Sequence, residues 1–140
     1  MLLCSAVSLI LGSSWGTVGT AGIAMMGVGM GLGFNPALVA GAVISGAYFG
    51  DKMSPVSDST LMSSTLSGVP LMTHIKYMLY TCAPAYVISA VLYTILGIRH
   101  GSSSYDPTAV NEIITNLSGI FKLGFVPLIP VIVVLSLIHI

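Results

Sequence analysis

The sequence predicts an all-α membrane protein: a polytopic helix bundle in which some helices are discontinuous. Three observations predict it. First, 55% of the 140 residues are hydrophobic and only 6% are charged, against about 25% charged in soluble domains. So few charges cannot cover a water-facing surface, and lipid is the expected solvent. Second, apolar runs of helical length recur along the chain. Third, two polar interruptions lie next to these runs, at residues 13–20 and 51–60. The formal net charge is zero and no basic run exists, so phosphate neutralisation, and with it nucleic-acid binding, has no basis. Cys4 and Cys82 are far apart in apolar context and read as small buried hydrophobes.

The elements follow in order. Residues 1–33 read as one broken helix. Met1 to Leu11 is apolar but shorter than the roughly 20 residues a span needs, and it lacks the basic n-region of a signal peptide. It runs into the Gly/Ser/Thr-rich stretch from Gly12 to Gly22. Beyond it, Gly27/Gly31 and Gly29/Gly33 have the four-residue spacing that lets helices approach closely in lipid. Glycine equally permits unwound backbone, so this stretch reads either as a break between half-helices or as a close-packing surface. Asn35-Pro36 is an N-cap followed by proline at the first helical position. The helix expected over 36–50 covers about 22 Å, less than a bilayer core of about 30 Å. It would therefore stop inside the membrane, at the interruption 51–60, where Pro55 opposes continued helix. A half-helix over 61–69 follows, with Ser57 or Asp58 as its cap. The apolar span 77–98 has tyrosines near both ends and Pro84 as an expected kink. Residues 99–116 form a polar loop, where Asp106 and Glu112 are solvated, and 117–140 form another span. His74 is an interfacial residue. Lys76 and Arg99 flank opposite ends of one helix, so the basic residues give no orientation. Both ends of the chain lie in apolar runs, which leads us to expect a piece of a longer transporter, 1–140 being one transmembrane unit of it.

The chemistry is concentrated in the interruptions. Two of the four acidic residues, Asp51 and Asp58, fall in 51–60. A charge at the bilayer centre costs roughly 2.5–3.5 kcal/mol on insertion scales, so charges kept there mark an ion or proton site. A cation needs oxygen ligands and a charge balance. Asp51, Ser54, Ser57, Asp58, Ser59 and Thr60 offer carboxylates and hydroxyls. Ser13, Ser14, Thr17 and Thr20 of the first interruption supply further hydroxyls, Trp15 sits among them, and Lys52 can neutralise one carboxylate. Desolvation raises a carboxyl pKa from about 3.9 towards neutrality, and such a group holds either a proton or a cation. That competition couples opposite fluxes. Asp58, flanked by hydroxyls, is the first candidate for this role and Asp51 the second, both being cation-binding candidates. The plain alternative is a water-exposed loop with ordinary turn chemistry.

Three stretches carry a family resemblance: Ser13-Ser14-Trp15-Gly16-Thr17-Val18-Gly19-Thr20, the segment Gly46 to Asp58 (GAYFGDKMSPVSD), and His74-Ile75-Lys76-Tyr77-Met78-Leu79-Tyr80-Thr81. In this order they resemble the NhaC family of sodium/proton antiporters, within the ion-transporter superfamily. The resemblance implies a multi-pass secondary transporter of the bacterial inner membrane. It also implies inverted repeats whose discontinuous helices meet near the midplane. Its cargo would be sodium and protons, with no cofactor and no catalysis, and its partners the lipid bilayer and the remaining helices of the transporter. The chain departs from the family pattern after Asp58: Ser59-Thr60-Leu61 stands where Thr-Thr-Asn is expected, which removes an amide ligand. The family includes relatives that exchange carboxylates such as malate and lactate, and this is the alternative reading. An intramembrane aspartyl protease is disfavoured, because Tyr48 occupies the first glycine position of a Gly-x-Gly-Asp motif and Asp58 lies in the same segment.

Overall fold

In a computed structural model, residues 1–100 and the isolated positions Thr115, Val133 and Ser136 are described. Most of the expected polar loop 99–116 and of the span 117–140 lies outside the described residues. Every regular element among the described residues is helical. Helix α1 covers Leu2–Leu11, α2 Ser14–Thr17, a π-helical turn Val18–Gly22, α3 Ile23–Gly31, α4 Pro36–Met53, α5 Asp58–Leu66 and α6 Leu71–His100. The central element is α4, which packs against α1, α3, α5 and α6.

The first interruption is narrower than the sequence predicts. Gly12 ends α1 with φ +65°, its N–H bonding the Ser8 carbonyl. A left-handed residue at this position is the usual way to stop a helix, and glycine adopts it without steric cost. Ser13 is extended and caps the next helix, its hydroxyl accepting from Gly16 N–H at 3.1 Å. From Ser14 onward the chain is helical again. The break is thus the Gly12–Ser13 pair, and Thr17 and Thr20 sit on helix, not on unwound backbone.

Asn35 caps α4 through its side chain, which accepts from Ala37 N–H at 2.9 Å, and Pro36 takes the first helical position. The helix runs three residues past its expected end. It stops because Ser54 precedes Pro55 and is extended, with φ −78° and ψ 127°; the residue before a proline is driven out of the α region. Asp51 and Lys52 therefore lie in the last turn of α4. The 18 residues of α4 span about 27 Å, close to the thickness of a bilayer core. Its length gives no reason for α4 to stop inside a membrane.

Helices α1 and α4 touch through small residues. A Cβ placed on Gly50 would meet the Ser5 carbonyl oxygen and stand 2.7 Å from Ser8 Cβ; one on Gly46 would meet the Met1 carbonyl oxygen and stand 3.2 Å from Cys4 Cβ. The spacing Gly46/Gly50 is the small-xxx-small pattern that brings helices together in lipid. The seam is also hydrogen-bonded, with Ser8 donating to the Ala47 carbonyl at 2.5 Å. Of the glycines expected to pack, a Cβ placed on Gly27 would meet nothing within 4 Å, whereas one on Gly29 would lie 2.6 Å from Val39 Cγ2.

Helix α6 is long and apolar enough to cross a membrane and continues through Pro84. It leans on α4 through Phe49 and Tyr86, stacked with ring centroids 3.9 Å apart, and through Tyr93, whose hydroxyl lies against Gly41. Cys4 is buried and Cys82 half-buried.

Candidate ion site where two helix interruptions meet

The turn Ser54–Ser57 returns the chain from α4 into α5. Ser57 takes the N-cap position of α5 but makes no side-chain cap. Its hydroxyl donates instead to Asp51 Oδ1 at 2.7 Å. The Ser57 hydrogen is thereby used, so in its 2.9 Å contact with Ser59 it is Ser59 that donates. The two hydroxyls form a chain, Ser59 to Ser57 to Asp51. Asp51 is half-buried and Ser57 buried, while Ser59 is exposed.

Thr60 is buried beneath this chain, and its hydroxyl lies 3.4 Å from the Asp51 carbonyl and 3.3 Å from the Lys52 carbonyl. Those carbonyls belong to the last turn of α4, the negative end of its dipole. Carboxylate, three hydroxyls and helix-end carbonyls thus converge in one place, the donor set a hard cation takes.

The two interruptions are in direct contact. A Cβ on Gly12 would lie 2.9 Å from the Val56 carbonyl carbon and 3.0 Å from Ser57 N. Ser54 is fully buried; its hydroxyl donates to the Leu9 carbonyl at 2.7 Å and accepts from Val56 N–H at 3.2 Å.

The remaining residues singled out in the sequence lie elsewhere. Asp58 is exposed, at the first position of α5, where a carboxylate complements the helix dipole; no side-chain partner for it is found among the described residues. Lys52 is exposed. It lines a groove of about 280 Å³ between α4 and α6, together with Ser45, Thr81 and Ser89. The hydroxyls of the first interruption serve their own helix: Thr17 donates to the Ser13 carbonyl and Thr20 to the Gly16 carbonyl. Ser14 is buried and Trp15 exposed. The first interruption thus reaches the second by backbone contact at Gly12, not through these hydroxyls. Sequence reasoning missed Gly12 as the contact, the Leu9 carbonyl and the Ser5/Ser8 pair on α1. The pair had a signal: two serines three residues apart in an apolar run share a helix face.

Two overlapping stretches, residues 1–69 and 46–140, match the pattern of the Na+/H+ antiporter family. The chain belongs to the Na+/H+ antiporter family. Membership agrees with the resemblance carried by its three motifs. Curated relatives include the Malate-2H(+)/Na(+)-lactate antiporter of Bacillus subtilis (strain 168), 48% identical over 98% of this chain and 29% of the relative. The Na(+)/H(+) antiporter NhaC of Alkalihalophilus pseudofirmus is 43% identical over 96% of this chain and 29% of the relative. An arginine/ornithine antiporter of Halobacterium salinarum is 40% identical over 97% of this chain and 28% of the relative. The chain therefore spans under a third of the length of these relatives. No solved structure matches it.

Proposed function

We propose that the full-length transporter exchanges sodium for protons across a bacterial inner membrane, as a multi-pass protein with inverted repeats, and that Asp51 is where the two ions compete. The observation that carries this reading is the hydroxyl chain Ser59–Ser57–Asp51 at the meeting point of two helix interruptions. With Asp51 ionised, Ser57 points its hydrogen at the carboxylate. A sodium ion entering there takes Asp51 and, after rotation of the hydroxyls, the lone pairs of Ser57 and Ser59. A proton on Asp51 removes the charge that holds the cation. No cofactor enters this exchange.

Asp51 ranks above Asp58 in this reading, because it is half-buried and held by a buried donor while Asp58 faces outward. The test is proton movement in proteoliposomes of the full-length protein under an imposed sodium gradient. Asp51→Asn is expected to abolish exchange and Asp58→Asn to leave a measurable fraction. Full exchange in Asp51→Asn would overturn the assignment.

A second reading has its own support. Lys52 lines a mostly apolar groove that also holds Ser45, Thr81 and Ser89, and one relative is named for malate and lactate. In a carboxylate exchanger of this kind, Lys52 would meet the organic anion. Counterflow of labelled malate or lactate that is lost in Lys52→Gln supports it; counterflow absent from the wild type removes it.

A further inference from the structure

We propose that Ser54 is a positioning residue that braces the two interruptions into one unit and thereby fixes the Asp51 carboxylate. This rests on the sodium/proton reading above. It gives Ser54 a different task from that of an ion ligand. The side chain has no exposed surface, and both its hydrogen bonds end on backbone.

The two bonds are well chosen. A helix leaves its last four carbonyls without partners in the helix, and Leu9 is among those of α1, which ends at Leu11. The Ser54 hydroxyl satisfies that carbonyl at 2.7 Å. The turn Ser54–Ser57 has peptide groups that no helix satisfies, and the same hydroxyl accepts from Val56 N–H. One oxygen therefore serves an orphaned group on each side. Gly12 closes the brace, because its α-carbon lies against the Val56–Ser57 peptide with no room for a Cβ. The next residue along is Ser57, which holds Asp51. The linkage runs from Leu9 through Ser54 and Val56 to Ser57 and the carboxylate. A shift of α1 against α4 is transmitted to the ligand set.

Two readouts on the full-length transporter test this. Amide hydrogen exchange reads the brace itself, whatever ion is carried. Ser54→Ala is expected to speed exchange at residues 9–13 and 54–57 together; faster exchange confined to 54–57 overturns the brace. Transport kinetics read the positioning. Ser54→Ala is expected to raise the apparent KM for sodium about tenfold, with the maximal rate per folded transporter within twofold of wild type. Ser54→Cys, which keeps a weak donor, recovers part of the loss. Gly12→Ala, attacking the brace from the other side, gives the same KM signature. Lower yield and lower maximal rate with KM unchanged in both Ser54→Ala and Gly12→Ala would mean a purely structural residue and overturn the proposal. If the wild-type protein moves no protons on sodium addition, the sodium/proton reading falls instead, and hydrogen exchange alone decides the brace.

Discussion

At the scale of single residues, one buried hydroxyl explains the difference between the two carboxylates. Asp58 has serines on either side in sequence, which makes it the natural first choice on paper. On a helix, however, adjacent residues do not face each other. The Ser57 hydroxyl turns back across the bend to Asp51, and that of Ser59 bonds Ser57. Ser57 gives up its capping role to do so, although a cap contributes about 1 kcal/mol. Its bond to a charged acceptor is of the class that contributes about 1.5–3 kcal/mol. Ser57→Ala is therefore expected to weaken apparent sodium affinity about tenfold or more. Ser59→Ala, one link further out and exposed, should weaken it less than Ser57→Ala does. Sodium titration of proton release in everted vesicles checks the order, and equal effects would break the hydroxyl chain as described. The sequence made the acidic and hydroxyl inventory legible because so few polar residues stand in an oily chain. Which hydroxyl reaches which oxygen depends on the path of the turn Ser54–Ser57, which residue types alone do not carry.

At the scale of elements, the start of α4 was legible and the crossings were not, while α5 and α6 begin at Asp58 and Leu71, ahead of the expected 61 and 77. Asn35-Pro36 announces α4 through local chemistry, and the structure makes the cap as expected. The end of α4 was also encoded, in the residue before Pro55, but the charges at Asp51 and Lys52 drew the expected boundary three residues too early. The glycines divide in the same way. The four-residue spacing at Gly27/Gly31 is visible in sequence, yet at Gly27 nothing lies within 4 Å. The same spacing at Gly46/Gly50 forms the α1–α4 seam. Added methyl groups in a tight seam cost about 1–3 kcal/mol. Gly50→Ala, which drives a Cβ into the Ser5 carbonyl, is expected to destabilise by about that amount. Gly27→Ala should be neutral or stabilise slightly, since alanine is the better helix former by about 0.5–1 kcal/mol. Thermal unfolding of the purified full-length protein in detergent separates the two, with a lowered midpoint expected only for Gly50→Ala.

At the scale of the whole molecule, the described residues are built inside out. The buried side chains include Ser5, Ser8, Ser54, Ser57, Thr60 and Ser64, whereas Leu2, Leu3, Leu61, Met62 and Leu66 face outward. No buried side-chain polar atom among the described residues lacks a partner, so the polar interior is satisfied by the chain itself. In water such an arrangement would expose most of its apolar surface; in lipid, or against further helices, it is the stable one. Composition made this legible as a class, since 6% charge leaves no other solvent. Helix α6 offers the sharpest test. Ile88 is 61% exposed near the middle of α6, and Tyr77 is 69% exposed nearer its start. An aspartate at the centre of a spanning helix costs about 2.5–3.5 kcal/mol on insertion scales, and the penalty falls towards the interface, where a side chain reaches water. Ile88→Asp is therefore expected to lower the membrane-inserted amount of the full-length protein several-fold, while Tyr77→Asp stays within about twofold of wild type. Quantifying the carbonate-resistant fraction of each variant measures the contrast. An equal loss in both would mean that α6 does not place its middle at greater depth than its start, and the spanning assignment of α6 would fall.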